Sequence, residues 1–351
     1  MRRLFLLFAS AAVAVVAGAS PGVGVADNGN GHGAADRQQA RNHSLHSSPG
    51  VDDGDLIGQF AQYNFERTAP AAAITGDPLS NAFRQASSLS TTSGAWQEVT
   101  TQAYNAEPSN YSDPTWSNLG AGFSLVGGRA TALAETPDGA WYVGAADGGV
   151  WKSTDQGSTW TSLFDSMPTL SIGSLAVSPV DGSLWVGTGE ANVSQDSYAG
   201  TGVYRSADGA ASFKRVGDDA NGNNPLAAHT SFRLAIDASG NVYDATDNGL
   251  FRLAANSNTW TAVLEPAGPS DFPPYDQQVT DVTLVPGSRG ADVIAAIGWH
   301  GPGNTQNNGF YQSTDGGLSF TKVTPLLGQV DATDIGRTTF AYSADGTRLY
   351  A

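Results

Sequence analysis

Cysteine is absent from all 351 residues, which excludes a disulfide framework and a lipid-modified N-terminal cysteine and leaves apolar packing to supply stability. Basic residues are scarce: 17 Lys and Arg face 33 Asp and Glu, for a formal charge of −16. Recognition of a phosphate backbone needs clustered Lys and Arg, so nucleic acid is excluded as a partner class. Long apolar runs are almost missing as well. The one that stands out, Leu4 to Val16, is too short to cross a bilayer as a permanent helix, and no other segment approaches a membrane span.

Arg2 and Arg3 lead into that run and small-residue sites end at Ala19 or Ala26, the layout of a cleaved secretory leader over residues 1–26. Loss of both arginines with the leader takes the charge from −16 to −18. Such an acidic surface suits a secreted protein and leaves neutral carbohydrate, cations or extracellular proteins as partners. Residues 27–55, rich in Gly, Asn, Asp, Ser and His, are expected to form a disordered linker. His32, His43 and His46 lie there at irregular spacing with no cysteine, which fits linker composition better than a metal site. Residues 56–126 form an N-terminal extension. Asp77 and Pro78, followed by Leu79, Phe83, Ala86 and Leu89, predict a capped short helix packed on the main body.

From residue 127 to Ala351 one pattern recurs. STDQGSTW (Ser153 to Trp160), SADGAASF (Ser206 to Phe213) and STDGGLSF (Ser313 to Phe320) each read as a tight turn closed by an aromatic. The Ser hydroxyl and Asp carboxylate can bond nearby backbone N–H groups while Gly supplies positive φ. A degenerate copy, AANSNTW, ends at Trp260, giving steps of 53, 47 and 60 residues between the closing aromatics. Around each corner lie four β segments joined by hairpin signals, for example ATALAETPDG, WYVGAADGG, VWKSTDQGSTW and TSLF. Four such copies and the start of a fifth, RTTFAYSADGTRLYA, predict an all-β propeller of four-stranded antiparallel blades, incomplete in this chain. The expectation is the N-terminal portion of a longer protein, with the segment around Trp116 and Leu119 supplying the outermost strand of a closing blade.

The corners resemble the Asp-box, or BNR repeat, S-x-D-x-G-x-x-W/F, of bacterial sialidases, of the xyloglucanase family of glycoside hydrolases and of sortilin-type receptors. The copies at Ser153, Asp155, Gly157, Trp160 and at Ser313, Asp315, Gly317, Phe320 match in full. The copy at Ser206, Asp208, Phe213 has Gly209 one place early and Ala210 where Gly is expected. VGGRATAL, GGVWKSTDQGSTW, VGTGEANVSQDSY and IGRTTF are similar to secreted bacterial propellers described as glycosyl-hydrolase-like. The resemblance implies that the corners are structural and that chemistry belongs to the opposite rim.

On that rim Asp147, in GAADGGVWK, is a candidate acid, although the xyloglucanase sequence Asp-Ile-Gly-Gly places its aspartate one residue earlier. Inverting hydrolysis needs a second carboxyl group roughly 6.5–9.5 Å away. Glu190 and Asp196, in GEANVSQDSYAGTG with Asn192 and Tyr198, are candidates as acid and base, as oxygen ligands for Ca²⁺, or as caps of their own loop. Trp299 and His300, in GWHGPGNTQNNG, offer a stacking platform for a sugar ring, or a Trp packed between sheets. Arg129, Arg233 and Arg337 are each 104 residues apart near the starts of inner strands, where they could converge on a ligand carboxylate or bond loop carbonyls and neighbours such as Asp334. Sialidases also hold a carboxylate with three arginines, but Arg233 is followed by Leu234 and Ala235 rather than Ile-Pro. Asp219, Asn221 and Asn223 alternate as in a calcium loop, with the glycine misplaced and the closing Glu absent. His229 and His300 have no recognisable nucleophile motif beside them, and no cofactor is indicated. Two functions emerge: a glycan-binding or glycoside-hydrolase-like secreted propeller, or a non-catalytic protein-binding scaffold in a larger extracellular protein.

Overall fold

The computed structural model describes residues 77–90, 104–105, 125–192, 197–265, 278–298, 305–323 and 335–351. The leader, the linker with its three histidines, Trp116, Leu119, Asp196, Trp299, His300 and Asp334 lie outside them. Among the described residues one helix is found, α1 (Pro78–Ser87), which starts where expected, with the Asp77 carboxylate accepting from the Ser80 N–H at 3.2 Å. It is tied to the body by charge rather than by its apolar stripe. Asp77 and Ser80 both bond Arg215, while Leu79 and Phe83 stay exposed.

Two short strands, β1 (Tyr104–Asn105) and β2 (Leu125–Val126), pair antiparallel. Four four-stranded antiparallel sheets follow, each in chain order from its inner strand outward. Sheet 1 holds β3 (Ala130–Glu135), β4 (Trp141–Ala145), β5 (Gly149–Ser153) and β6 (Thr161–Ser162). Sheet 2 holds β7 (Ile172–Val177), β8 (Leu184–Thr188), β9 (Val203–Ser206) and β10 (Lys214–Val216). Sheet 3 holds β11 (Ser231–Ile236), β12 (Val242–Thr246), β13 (Gly249–Leu253) and β14 (Trp260–Leu264). Sheet 4 holds β15 (Val279–Leu284), β16 (Val293–Ile297), β17 (Gly309–Ser313) and β18 (Thr321–Lys322), and β19 (Ala341–Tyr342) pairs with β20 (Leu349–Tyr350) in a fifth.

The first strand of each sheet lies against the first strand of the next, β3 on β7, β7 on β11 and β11 on β15, so the sheets fan about an axis as blades of a propeller. The core is four layers between sheets rather than one centre. Tyr142, Val150, Phe164, Ile172 and Val186 fill the first gap, and Trp185, Val203, Leu234, Phe251 and Trp260 the second. Tyr243, Leu250, Val282, Val293 and Ile297 fill the third, with Ile294, Ala296 and Phe340 in the fourth.

The three Ser–Asp corners join the third and fourth strands and share one hydrogen-bond cage. Ser153 Oγ donates to Asp155 at 2.8 Å and accepts from Gly157 N at 2.8 Å, and Asp155 accepts from Thr159 N at 2.8 Å. Ser206 with Asp208, Ala210 and Ser212, and Ser313 with Asp315, Gly317 and Ser319, repeat it. Two consecutive residues turn left-handed in every copy: Gln156 and Gly157, Gly209 and Ala210, Gly316 and Gly317, at φ between 59° and 86°. This explains the shifted glycine of the second copy, because either position gains from lacking a Cβ. The closing aromatics differ in use: Trp160 folds back on its own corner, its Nε1–H bonding Gly157 O at 3.1 Å, whereas the Nε1–H of buried Trp260 donates to Val216 O in sheet 2 at 2.9 Å.

Gln156 is exposed at φ 59°, so Gln156→Gly should stabilise the protein by about 0.5–1 kcal/mol, strain relief less the extra chain entropy of glycine. Ser313→Ala should cost about 1–3 kcal/mol by orphaning the buried Gly317 N–H. Denaturant unfolding of both variants measures these differences.

Candidate functional site

In a four-stranded antiparallel sheet the first and third turns share one end. The Ser–Asp corners therefore lie at one end of the propeller, and the second-to-third strand loops and the inner-strand starts at the other. The loop end carries Asp147, the segment after β8 with Glu190, and the arginines.

Each inner strand enters through a register irregularity at its second residue, between Ala130 and Ala132, Ile172 and Ser174, Ser231 and Arg233, and Val279 and Asp281. Such a bulge re-aims the next side chain. Ser174, Arg233 and Asp281 share that next position. Ser174 Oγ accepts from Leu234 N at 2.7 Å, and Asp281 accepts from Phe340 N at 2.6 Å, so this position links neighbouring inner strands. The spacing of 104 residues does not mark equivalent positions: Arg129 precedes β3, while Arg233 lies inside β11.

Even so, the arginines end in one connected group. Arg129 Nη2 is 3.7 Å from Glu190 Oε1, with side-chain exposures of 40% and 0%. Glu190 also accepts from the Asn192 N–H at 3.1 Å and from the Ser197 hydroxyl, so both its oxygens are engaged. Arg337 bonds Ala191 O at 3.3 Å and the Asn192 side chain, and its guanidinium lies 5.5 Å from the Phe232 ring centre. Arg233 Nε is 3.8 Å from Asp281 Oδ1, with exposures of 54% and 4%. Burial pushes the Asp281 carboxyl up, against the opposing pull of the Phe340 N–H and the charges of Arg233 and Arg337. Five sheets thus give one charged residue each: Arg129, Glu190, Arg233, Asp281 and Arg337. The two carboxylates are buried and the arginines face outward.

Asp147 is exposed and accepts from Ser171 Oγ at 2.7 Å. The alternating Asp219, Asn221 and Asn223 form a self-closed turn: Asp219 Oδ1 accepts from Asn221 N and Asn223 N, both at 2.8 Å, and the Asn223 amide donates to Oδ2. Among the described residues no three His, Asp or Glu side chains are grouped to hold a metal ion.

No protein-family model matches the chain, and no curated protein does. Solved structures that it resembles are propellers. A GH74 xyloglucanase of Xanthomonas campestris has 22% identity and TM-score 0.42, covering 58% of this chain and 31% of its own. A GH74 enzyme of Niastella koreensis has 20% identity and TM-score 0.40, covering 58% and 33%. PorZ, a bacterial surface component of the type-IX secretion system of Porphyromonas gingivalis, has 15% identity and TM-score 0.41, covering 71% and 32%. The chain spans about a third of the length of each. Among the described residues no helix is long and apolar enough to cross a membrane.

One pair of groups at this end was not legible in the sequence. Asp244, in the middle of β12, is fully buried and accepts from Ser231 Oγ at 2.6 Å, and burial pushes its carboxyl up to about 8, with the charge of Asp247 adding to the rise. Asp247 is itself bonded by His229 Nδ1 at 3.0 Å and the Thr230 N–H. The only sequence signal was an Asp at a core position of a strand otherwise reading Val-Tyr-Asp-Ala-Thr.

Between pH 4 and 8 the unfolded chain has released the Asp244 proton while the folded chain keeps it. Stability therefore falls as pH rises through that window. Asp244→Asn keeps the acceptor for Ser231 and removes the titration, so its melting temperature should exceed that of the parent at pH 8 by several degrees. The gap should close toward pH 4 in a pH series of thermal melts.

Proposed function

We propose that this is a secreted carbohydrate-binding propeller of the Asp-box kind that grips an acidic sugar at its loop end, with Arg129, Arg233 and Arg337 as the binding groups. The observation that carries the reading is the five-residue charged group, in which three outward arginines outnumber two buried carboxylates by one charge. In a protein of net charge −16 this leaves a local cationic spot where charge-assisted bonds to a carboxylate are strongest.

Binding is favoured over hydrolysis because Glu190 has no exposed side-chain surface and both its oxygens have partners. A general acid or base must reach the proton it transfers. Glu190 in this arrangement organises the loop and fixes Arg129, and Asp147 is left as the exposed acid of the rim. Trp299 and His300, which lie outside the described residues, enter the same reading only as a candidate stacking surface for a sugar ring. A protein-binding scaffold is the second reading, favoured by exposed Leu79, Phe83 and Leu89 on and after α1.

Trigalacturonate titrated calorimetrically into the full chain tests the first reading. Arg233→Ala and Arg129→Ala should each weaken binding about tenfold, as loss of one charge-assisted bond implies. Equal affinity in both variants would remove the arginines from the site. Release of reducing ends from a polyuronate that disappears in Asp147→Asn would show hydrolysis instead.

A further inference from the structure

At the opposite end, a groove of about 750 Å³ opens between sheets 2 and 3, and its origin lies in the degenerate corner. The residue before each corner is a cation in sheets 1 to 3: Lys152, Arg205 and Arg252. Each lies over an aromatic ring of the second strand, Tyr142, Trp185 and Tyr243, at 5.4, 5.6 and 6.0 Å from the centre. In sheet 1 the cation reaches across to the corner of the next sheet, Lys152 Nζ bonding Gly209 O at 3.0 Å. Sheet 3 does the same, Arg252 Nε bonding Gly316 O at 2.9 Å.

Sheet 2 breaks this pattern. The corner that Arg205 would clasp is Leu253 to Trp260, which has Leu253 in place of the Ser and Ala255 in place of the Asp. Arg205 instead turns to its own sheet, bonding Asp181 and, at 3.1 Å, Ser183 Oγ. The clasp is lost and the gap stays open.

We propose that this groove is a second ligand site, distinct from the arginine group at the loop end, and that it takes a short neutral oligosaccharide. Its volume falls within the roughly 300–1,000 Å³ usual for small-molecule sites. Asn256, Ser257 and Asn258 stand on one wall and Ser212 and Lys214 on the other. Amides and hydroxyls both donate and accept, which is what a polyhydroxylated ligand requires. Neutral charge follows from the balance of the lining. Arg205 is paired with Asp181 and Arg215 with Asp77 and Asp218, and the two remaining charges of the lining, Lys214 and Asp208, are of opposite sign, so no field of one sign is left to favour a charged ligand. A sugar hydroxyl at the mouth would take the place of the carbonyl that corners 2 and 4 offer the preceding cation.

The test uses the full chain with cellotriose, xylotriose, maltotriose and chitotriose, followed by calorimetry and amide hydrogen exchange. At least one should bind and slow exchange in residues 254–258. The double variant Asn256→Ala with Asn258→Ala should weaken that binding at least tenfold while leaving trigalacturonate affinity unchanged, and Arg233→Ala should do the reverse. A rebuilt corner, Ala255→Asp with Asn256→Gly, should also abolish trisaccharide binding while the thermal melt reports that the fold is kept. No trisaccharide binding by the parent, or binding that responds to Arg233→Ala and not to the groove variants, would overturn the proposal.

Discussion

Sheets fanned about an axis must converge at their inner strands and diverge at their outer ones, and every other feature of this protein follows from that wedge. Close to the axis particular backbone positions leave no room for a side chain between neighbours. A Cβ added to Gly173 would lie 1.9 Å from Ser231 O, and one on Gly298 1.8 Å from Gly336 O. Away from the axis the gap widens and is filled by rings. Phe164 packs edge-on against Tyr204 and Phe213, with centroids 5.6 and 5.0 Å away, and Trp260 covers Gly217 of the neighbouring sheet. Small residues inside and aromatics outside are two halves of one packing solution.

The same wedge gives the corners a second role. A tight turn closed by a Ser hydroxyl and an Asp carboxylate would be local bookkeeping if it only ended a hairpin. Here the left-handed pair also turns the carbonyl of the first of its two residues outward, where the cation of the preceding sheet meets it in two of three cases. The carboxylates are held well below the ordinary range by these bonds: the Thr159 N–H and hydroxyl first for Asp155, and the Ser319 hydroxyl first for Asp315. A further set of aspartates at the first-to-second strand turns, Asp181, Asp237 and Asp345, caps its own turns in a similar way.

Much of this was legible in the sequence because the repeat states each local choice several times over. Alternation of β segments and turn residues, with the Ser–Asp corners as markers, located all four sheets and the fifth hairpin. Asp77 and Pro78 located the helix start. Two things escaped. The bulge at the head of each inner strand has no single residue signature, since its skipped residue is Thr131, Gly173, Phe232 or Thr280, and the exact spacing of the arginines suggested an equivalence that the strands do not share. Pairing across sheets escaped as well: Arg337 meets Asn192 from 145 residues away, a contact set by the axis and not by any local pattern.

The two ends of the propeller come to differ in chemistry for topological reasons. An even number of strands returns every Ser–Asp corner to one end, where its aspartates are consumed by backbone N–H groups and contribute little free charge. At the other end the inner strands begin, and each adds one side chain to a narrow space. Buried carboxyl groups there are tolerable when paired, as Glu190 is with Arg129 and Asp281 with Arg233, or when they keep their proton, as Asp244 does. With both acids paired, the three guanidinium groups stay partly open to solvent at that end. In a chain of formal charge −16, that local imbalance is what the proposed grip on an anionic ligand rests on.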